Sequence, residues 1–229
     1  MNNTINKNFQ KLQEEQLVKI KKDFLLLNRR PKLALHSCCA PCSSYVLEYL
    51  APIFDITVFY YNPNIYPPEE FNLRLKEQDT FIKKFTTPYP VTLDYIKYNP
   101  QEFYDAIDIK NNPELAKEAE RGERCTRCYN LRLKQTALFA KQNHIDFFTS
   151  TLSISPYKDA LKINTLGKEI EQQIASENSF SPIYLYSDFK KKNGFKRSIE
   201  ISEEYNMYRQ DYCGCIYSKI NTQKQREEQ

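Results

Sequence analysis

The chain has 229 residues and a formal charge of +4 at pH 7, with 41% hydrophobic and 27% charged residues. That length accommodates one large domain or two small ones, and the ordinary apolar and charged shares argue against extensive disorder. No apolar run reaches membrane-spanning length and segment 1–10 lacks the apolar core of a signal peptide, so we expect a cytoplasmic protein without a membrane partner.

Helical spacing of apolar residues alternates along the chain with short β-branched and aromatic runs. In the first half these patterns predict a helix over 8–28, a strand over 33–36, a helix over 44–50, a strand over 55–61, a helix over 67–85 and a strand over 90–95. In the second half they predict helices near 101–108, 113–121 and 126–142, a strand over 145–151, a helix over 158–176, a short strand over 183–185, a helix over 195–206 and a polar C-terminal helix or tail. Strands that alternate with helices indicate an α/β fold, with a mostly parallel sheet and helices on both faces.

Glycine is scarce, and the four glycines lie far apart at positions 122, 167, 194 and 214. A Walker loop or a dinucleotide-binding loop needs clustered glycines, because backbone N–H groups must approach the phosphates closely. The sequence therefore argues against nucleotide-driven chemistry and against a Rossmann NAD site.

Polar residues follow several of the predicted strands. Cys38, Cys39 and Cys42 come after the first strand, Asp94 lies at the end of the third, and Tyr157 and Lys158 follow the fourth. Ligands of parallel sheets bind beyond the carboxyl ends of the strands, so we expect these groups to gather at one edge of the sheet. Asp94, Tyr157 and Lys158 are then candidate proton donors.

The chain has seven cysteines, an odd number in a protein that we place in a reducing compartment. The segments Cys38–Cys42 and Cys125–Cys128 have the spacing of metal or cluster ligands. Adjacent cysteines cannot easily bind one small tetrahedral ion, so the Cys38–Cys39 pair favours iron–sulfur over zinc. Cys42 could be a fifth ligand, a thiol of the site or a packing residue.

The third motif is Cys213-Gly214-Cys215. A disulfide across three residues is strained, and strained disulfides are easily reduced and tend to be catalytic. Glycine gives the backbone the freedom to form one. We interpret the motif as a redox-active pair, with unpaired thiols or a second metal site as the alternatives.

Basic residues lie close to the cysteine motifs, a pattern typical of nucleic-acid binding. The candidate RNA-binding residues are Arg74, Arg132, Lys190, Lys191, Lys192 and Arg209.

Five ordered motifs resemble a known family. They are His36-Ser37-Cys38-Cys39-Ala40-Pro41, Tyr61-Asn62-Pro63-Asn64-Ile65, Arg124-Cys125-x-x-Cys128-Tyr129-x-Leu131-Arg132-Leu133, Thr149-Ser150-Thr151-Leu152-x-Ile154-Ser155-Pro156-Tyr157-Lys158 and Tyr208-Arg209-Gln210-x-Tyr212-Cys213-Gly214-Cys215. Together they resemble the QueH-type epoxyqueuosine reductases over about residues 32–218. The chain departs from the family pattern at Phe195, where we expect a tyrosine after glycine.

The resemblance implies reduction of the epoxide of epoxyqueuosine, at the wobble position of a tRNA anticodon, to the alkene of queuosine. It implies a 4Fe-4S cluster on Cys38, Cys39, Cys125 and Cys128, a redox-active Cys213–Cys215 pair and no cobalamin. It also implies a nucleotide-hydrolase-like (HUP-like) fold with the cysteine motifs at the carboxyl edge of the sheet. The partners are the modified tRNA and an unidentified electron donor, and Cys42 could hold an additional iron ion.

On this basis we expect three regions. They are an N-terminal helical extension over 1–31, an α/β iron–sulfur catalytic domain over 32–218 and a polar tail over 219–229. Two other functions compete with the reductase: a zinc-stabilised, non-catalytic RNA-binding module, and an ATP-dependent tRNA thiolation enzyme of related fold. The missing glycine loop argues against the second of these.

Overall fold

The structure is a computed structural model that describes residues 8–175 and 180–227. Its helices are α1 (Phe9–Leu26), α2 (Ala40–Leu50), α3 (Pro68–Lys84), α4 (Pro100–Ile107), α5 (Glu123–Gln142), α6 (Ala160–Ala175), α7 (Gly194–Glu204) and α8 (Ile216–Glu227). Its strands are β1 (Lys32–His36), β2 (Asp55–Tyr60), β3 (Val91–Tyr95), β4 (Phe147–Ser150) and β5 (Ile183–Tyr184). All strand pairs are parallel and the strand order is β3-β2-β1-β4-β5, which confirms the predicted α/β fold.

The central strand β1 separates two hydrophobic cores. Leu33 and Leu35 pack with Leu47 of α2 on one face, and Ala34 packs with Leu133 of α5 on the other. This division follows from the strand itself, because successive side chains point to opposite faces of a sheet. Both faces are therefore covered by helices, as the alternating pattern predicted.

The order of the strands reverses beside β1. The chain moves from β1 outward through β2 to β3, and then returns to place β4 on the other side of β1. Where the order reverses, the connections leave the strand ends in opposite directions and open a crevice beyond their carboxyl ends. The residues after β1 and β4 line that crevice.

Several boundaries differ from the sequence-based expectation. Helix α2 begins at Ala40 rather than at 44, because Pro41 suits the first turn of a helix. The helix expected over 113–121 is a short 3-10 helix at Pro113–Lys117. Residues 1–7 of the predicted extension, position 176 of a predicted helix and residues 228–229 of the predicted tail lie outside the described residues.

Helix α1 packs on the sheet domain, since Leu17 and Ile20 belong to the same core as α2. Helix α8 runs across residue 218, where we placed the end of the catalytic domain. In the part of the chain that the structure describes, every helix is too short or too polar to cross a membrane.

Replacing Leu47 by Ala should destabilise the fold, because Leu47 is fully buried between α2 and the sheet. We expect a loss of about 2–5 kcal/mol in the free energy of unfolding, measured by chemical denaturation. The matched control is Leu25→Ala in α1, where the leucine is 81% exposed and the loss should stay below about 0.5 kcal/mol. Equal losses in the two variants would contradict the assignment of the core.

Candidate active site

The turn after β1 brings three thiols together, which we call the first cysteine group: Cys38, Cys39 and Cys42. Their sulfur atoms all lie within 4.8 Å of one another, and the Sγ atoms of Cys38 and Cys39 are 3.9 Å apart. Cys38 and Cys39 are buried and Cys42 is half-buried. Among the described residues this is the one set of three or more side chains with the spacing of ligands to a single metal ion. The group could therefore bind a metal.

A buried polar network fixes this turn. Ser37 Oγ donates to Gln78 Oε1 at 2.7 Å, and Gln78 Nε2 donates to Ser43 Oγ at 2.9 Å. Asn62 Nδ2 donates to the Ser37 carbonyl at 2.8 Å. The network ties the turn to α3 and to the loop after β2. Sequence reasoning missed Gln78, because a single polar residue on a helix gives no sign of its distant partners.

His36, the last residue of β1, is a core histidine. Its Nδ1 lies 2.9 Å from Ser150 Oγ and its Nε2 lies 3.1 Å from the Tyr61 carbonyl oxygen. Burial, with help from the Arg132 charge, lowers the pKa of His36 to about 4. Both ring nitrogens have protein partners, so His36 connects β1 to the ends of β4 and β2 rather than acting as a metal ligand.

The remaining thiols form the second cysteine group: Cys125, Cys128, Cys213 and Cys215. Cys125 and Cys128 lie three residues apart in the first two turns of α5, so both sulfurs sit at the same end of that helix. Cys128 and Cys215 pack in one apolar cluster with Phe103 and Ile107 of α4. The second and third sequence motifs therefore meet in space although they lie far apart in the chain.

The start of α5 is held by a carboxylate cap. The two Glu118 oxygens accept the backbone N–H groups of Glu123 at 2.6 Å and of Arg124 at 2.7 Å. Those N–H groups belong to the first turn of the helix and have no partner within it. A side chain at Gly122 would meet the Glu118 carboxyl group, so the cap in this position depends on glycine there.

Lys158 connects the second cysteine group to the loop after β4. Its Nζ donates to Cys213 Sγ at 2.8 Å and lies 3.4 Å from Glu120 Oε2. Burial by itself lowers the pKa of this ammonium group, but Cys213, Tyr129 and Glu120 outweigh it and raise the pKa of Lys158 well above its ordinary value. Lys158 therefore stays positively charged next to a sulfur atom.

The buried thiols differ in acidity. Contacts with Cys39 and Cys42 hold the pKa of Cys38 well below its ordinary value. Burial raises the pKa of Cys39, and the neighbouring thiols raise that of Cys42. Burial also raises the pKa of Cys128 to about 12. Most of these thiols therefore need a metal or a nearby cation before they ionise.

A cavity of about 680 Å³ is lined by thiols of both groups. Its wall includes Cys38 and Cys42 of the first group, Cys213 of the second group, and Lys158. Arg132 also lines the cavity, although only 1% of its surface is exposed. The crevice of the sheet is thus a pocket with thiols and two buried cations, Arg132 and Lys158, in its wall.

Two of the predicted RNA-binding residues are buried. Arg132 Nε donates to the Cys128 carbonyl at 3.4 Å, and its Nη2 has no protein partner among the described residues. Arg74 pairs with Glu70 at 2.6 Å and its side chain is fully buried. A buried guanidinium group does not reach a phosphate on the surface, so we assign both arginines to the cysteine site.

The other predicted residues occupy different places. Tyr157 and Arg209 are exposed and line the cavity. Asp94 is exposed on the edge strand β3 and does not line it, because β3 is two strands away from the crevice. Lys190 pairs with Asp188 and Lys192 with Glu14, and neither they nor the exposed Lys191 line the cavity.

Gln210 is a site residue that sequence reasoning did not select. Its Nε2 donates to Cys39 Sγ at 2.9 Å and lies 3.8 Å from Cys42 Sγ. It thereby joins the segment of the third motif to the first cysteine group. Its position three residues before Cys213 was the available signal.

The chain was compared with known proteins. The family model described as "Epoxyqueuosine reductase QueH" matches residues 33–221. The chain belongs to this family. It is 41% identical to the protein named epoxyqueuosine reductase QueH from Staphylococcus epidermidis over 193 residues, which are 83% of this chain and 77% of the relative. The relative of the same name from Haemophilus influenzae is 40% identical over 198 residues, 86% of this chain and 75% of its own length.

The matched region includes both cysteine groups, most of the residues that line the cavity and all five strands apart from Lys32. The resemblance that the motifs suggested is confirmed, and with it the membership of an oxidoreductase family. The residues outside the match are the first 32, which include α1, and the last eight.

Replacing Lys158 by Met should slow alkylation of Cys213, because the ammonium group at 2.8 Å attracts negative charge on the sulfur. We expect a severalfold lower rate with iodoacetamide near pH 7, measured by mass spectrometry of the peptide that contains Cys213. Lys162→Met is the control, since Lys162 Nζ bonds the Arg121 carbonyl at 2.5 Å and no sulfur. An unchanged rate in Lys158→Met would show that this contact does not govern the reactivity of Cys213.

Proposed function

We propose that this protein reduces the epoxide of epoxyqueuosine in tRNA to the alkene of queuosine. The observation that carries the proposal is that thiols of both cysteine groups, Cys38 and Cys42 of the first and Cys213 of the second, line one cavity in a QueH-family chain. The reaction consumes two electrons and two protons, and the epoxide oxygen leaves as water. We place the protein in the cytoplasm, where thiols stay reduced.

We propose further that Cys38, Cys39, Cys125 and Cys128 hold a 4Fe-4S cluster. Four cysteine thiolates are the usual ligands of such a cluster, and its ligands stand farther apart than those of a single ion. The donor set fits this group, because all four thiols are buried and Arg132 lies close to both Cys38 and Cys128. When bound, such a cluster passes electrons one at a time.

Cys42 is left over by this assignment. Its sulfur lies within 4.8 Å of those of Cys38 and Cys39, it is half-buried and it lines the cavity. It is therefore placed to hold an additional iron ion at the cavity wall, or to act as a thiol of the site.

The Cys213 and Cys215 thiols supply a second store of electrons in this proposal. Two thiols that become a disulfide release two electrons and two protons, the number that the epoxide consumes on its way to alkene and water. An external reductant then returns the disulfide to two thiols. Cys213 lines the cavity, and this supports the proposal that the pair acts on a substrate bound there.

Two side chains of the cavity wall can deliver a proton to the epoxide oxygen. Lys158 is charged and buried, and Tyr157 is exposed at the cavity. Arg132 has no proton to give at neutral pH, so its role is to hold negative charge. Asp94 has no part in this proposal, because it does not line the cavity.

Transfer RNA is the proposed polynucleotide partner. The exposed Arg209 lies at the cavity, and segment 190–192 directly precedes α7, whose Phe195 and Ser198 line it. In this proposal these cations hold the anticodon backbone while the modified base enters the cavity.

Anaerobically purified protein should be brown, contain iron and acid-labile sulfide, and convert epoxyqueuosine in tRNA to queuosine when dithionite is supplied. The product is lighter by one oxygen atom, which mass spectrometry of the digested nucleosides detects. Replacing any one of Cys38, Cys39, Cys125 or Cys128 by Ala should remove the cluster and the conversion, because each supplies one ligand.

Cys42→Ala is the matched control for this experiment. It removes a thiol from the same turn and should leave the cluster in place. A colourless, zinc-loaded protein with full activity would refute the iron–sulfur assignment, and a zinc-loaded protein that binds tRNA without converting it would favour the non-catalytic RNA-binding module.

Binding of tRNA should weaken steeply with salt, because each neutralised phosphate releases counterions. Replacing Lys190, Lys191 and Lys192 by Gln should weaken binding and flatten the slope of log K against log salt by at most about 3, at ~0.9 per phosphate contact. The ion pairs of Lys190 and Lys192 reduce that change. Filter binding at several salt concentrations measures it.

The same charge change on α1 serves as the control. Lys19, Lys21 and Lys22 are exposed there and should leave the slope unchanged when replaced by Gln. If the protein reduced the free epoxyqueuosine nucleoside as efficiently as the tRNA, the proposed tRNA docking would be wrong. The cluster assignment would be unaffected.

A further inference from the structure

We propose that Arg74 is a positioning residue that holds the segment 207–215 so that Cys213 lies in the cavity wall beside Lys158. The inference rests on the redox role proposed above for Cys213. It assigns to a buried arginine on α3 the placement of a motif that lies more than a hundred residues further along the chain.

The guanidinium group of Arg74 binds two successive carbonyl groups of this segment. Nη1 donates to the Cys213 carbonyl at 3.2 Å, and Nη2 lies 3.4 Å from the Tyr212 carbonyl. The remaining donor, Nε, binds Glu70 at 2.6 Å. One rigid fork therefore spans from α3 to the backbone on which Cys213 is carried.

The segment needs such a support because it forms no helix or strand of its own. Some of its other bonds lead elsewhere, from Gln210 to Cys39 and from Arg226 to Asp211. Others lead, like those of Arg74, to α3 or to the loop before it. Tyr208 Oη donates to Glu70 at 3.1 Å, Tyr208 N donates to Glu77 at 3.1 Å, and Tyr66 N donates to the Gly214 carbonyl at 2.8 Å. Arg74 is the one whose bonds reach the Cys213 carbonyl itself.

Space around the fork is restricted at Gly214. Its φ of +137° is a conformation that favours glycine. A side chain there would also lie 3.2 Å from Asn64 Nδ2 and 3.4 Å from Arg74 Nη1. The glycine between the two cysteines thus lets the backbone come close to the guanidinium group. The glycine of the Cys-Gly-Cys motif therefore leaves the space in which Arg74 binds the backbone of that motif.

The position of Cys213 follows from this support. Its carbonyl oxygen is held by Arg74 of α3, and its sulfur accepts from Lys158 of the loop after β4. If the fork is lost, the backbone is free to shift, and the sulfur no longer stays at 2.8 Å from the ammonium group. The contact between Lys158 and Cys213 is therefore the property that Arg74 should control.

A double-mutant cycle on the anaerobically purified full chain tests this coupling. The measurement is the rate of Cys213 alkylation by iodoacetamide, with and without Lys158→Met, in the wild-type, Arg74→Gln, Arg74→Lys and Arg30→Gln backgrounds. Arg30 is the matched control, because it pairs with Asp55 and its Nη2 donates to the carbonyls of Ala51 and Phe54, both at 3.0 Å, among residues that do not line the cavity.

We expect Lys158→Met to slow alkylation severalfold in the wild-type and Arg30→Gln backgrounds and to have little effect in Arg74→Gln. Arg74→Lys should give an intermediate effect, because it keeps the charge beside Glu70 but loses the fork, and it takes the place of Arg74→Gln if that variant does not fold.

The proposal is overturned if the effect of Lys158→Met is as large in the Arg74 variants as in the wild-type chain, or if it also disappears in Arg30→Gln, which would indicate general destabilisation. It fails too if Lys158→Met has no effect in the wild-type chain. Alkylation needs no tRNA, so absence of epoxyqueuosine reduction would defeat the proposed function and leave the cycle to be judged separately.

Discussion

Buried thiols and buried cations share one region of this protein, and each makes the burial of the other tolerable. Arg74, Arg124 and Arg132 are among its largest fully buried side chains. All three lie close enough to cysteines to influence their charge. A guanidinium group without a partner is costly to bury, and a thiolate is too. Their proximity lowers the cost of ionising a buried thiol, as binding a metal requires.

The parallel sheet is what brings these groups together. The first cysteine group follows its central strand β1, and Lys158 follows the neighbouring strand β4. Helix α5 packs on the face opposite α2 and carries Cys125 and Cys128 near its start. The crevice beyond β1 and β4 holds sulfur in the place where a glycine loop holds phosphate in nucleotide-binding folds. The same geometry that suits phosphates in other α/β proteins thus serves a cysteine site here.

Much of the fold was predictable, because alternating hydrophobic patterns report directly which residues face the core. The strand at 33–36 and the helices at 8–28, 67–85 and 126–142 all appear within a few residues of their expected bounds. The helix predicted over 113–121 is instead a shorter 3-10 helix. A short polar segment that begins with proline has no periodicity that separates an α-helix from a 3-10 helix. The cysteine motifs could also be recognised from the sequence, because the spacing of possible ligands within each motif is local.

By itself the sequence determined the family, the cysteine pattern and the α/β class, because each of these is written in neighbouring residues. The tertiary structure decided which side chains are buried and which distant residues are in contact. It buried Arg74 and Arg132, which the sequence presented as ordinary basic residues, and it left Asp94 on an exposed edge strand. It also set Lys158 beside Cys213, which lies 55 positions further along the chain, and Gln210 beside Cys39, which lies 171 positions before it. Burial and long-range contact depend on how the helices pack around the sheet, and no local spacing encodes that packing.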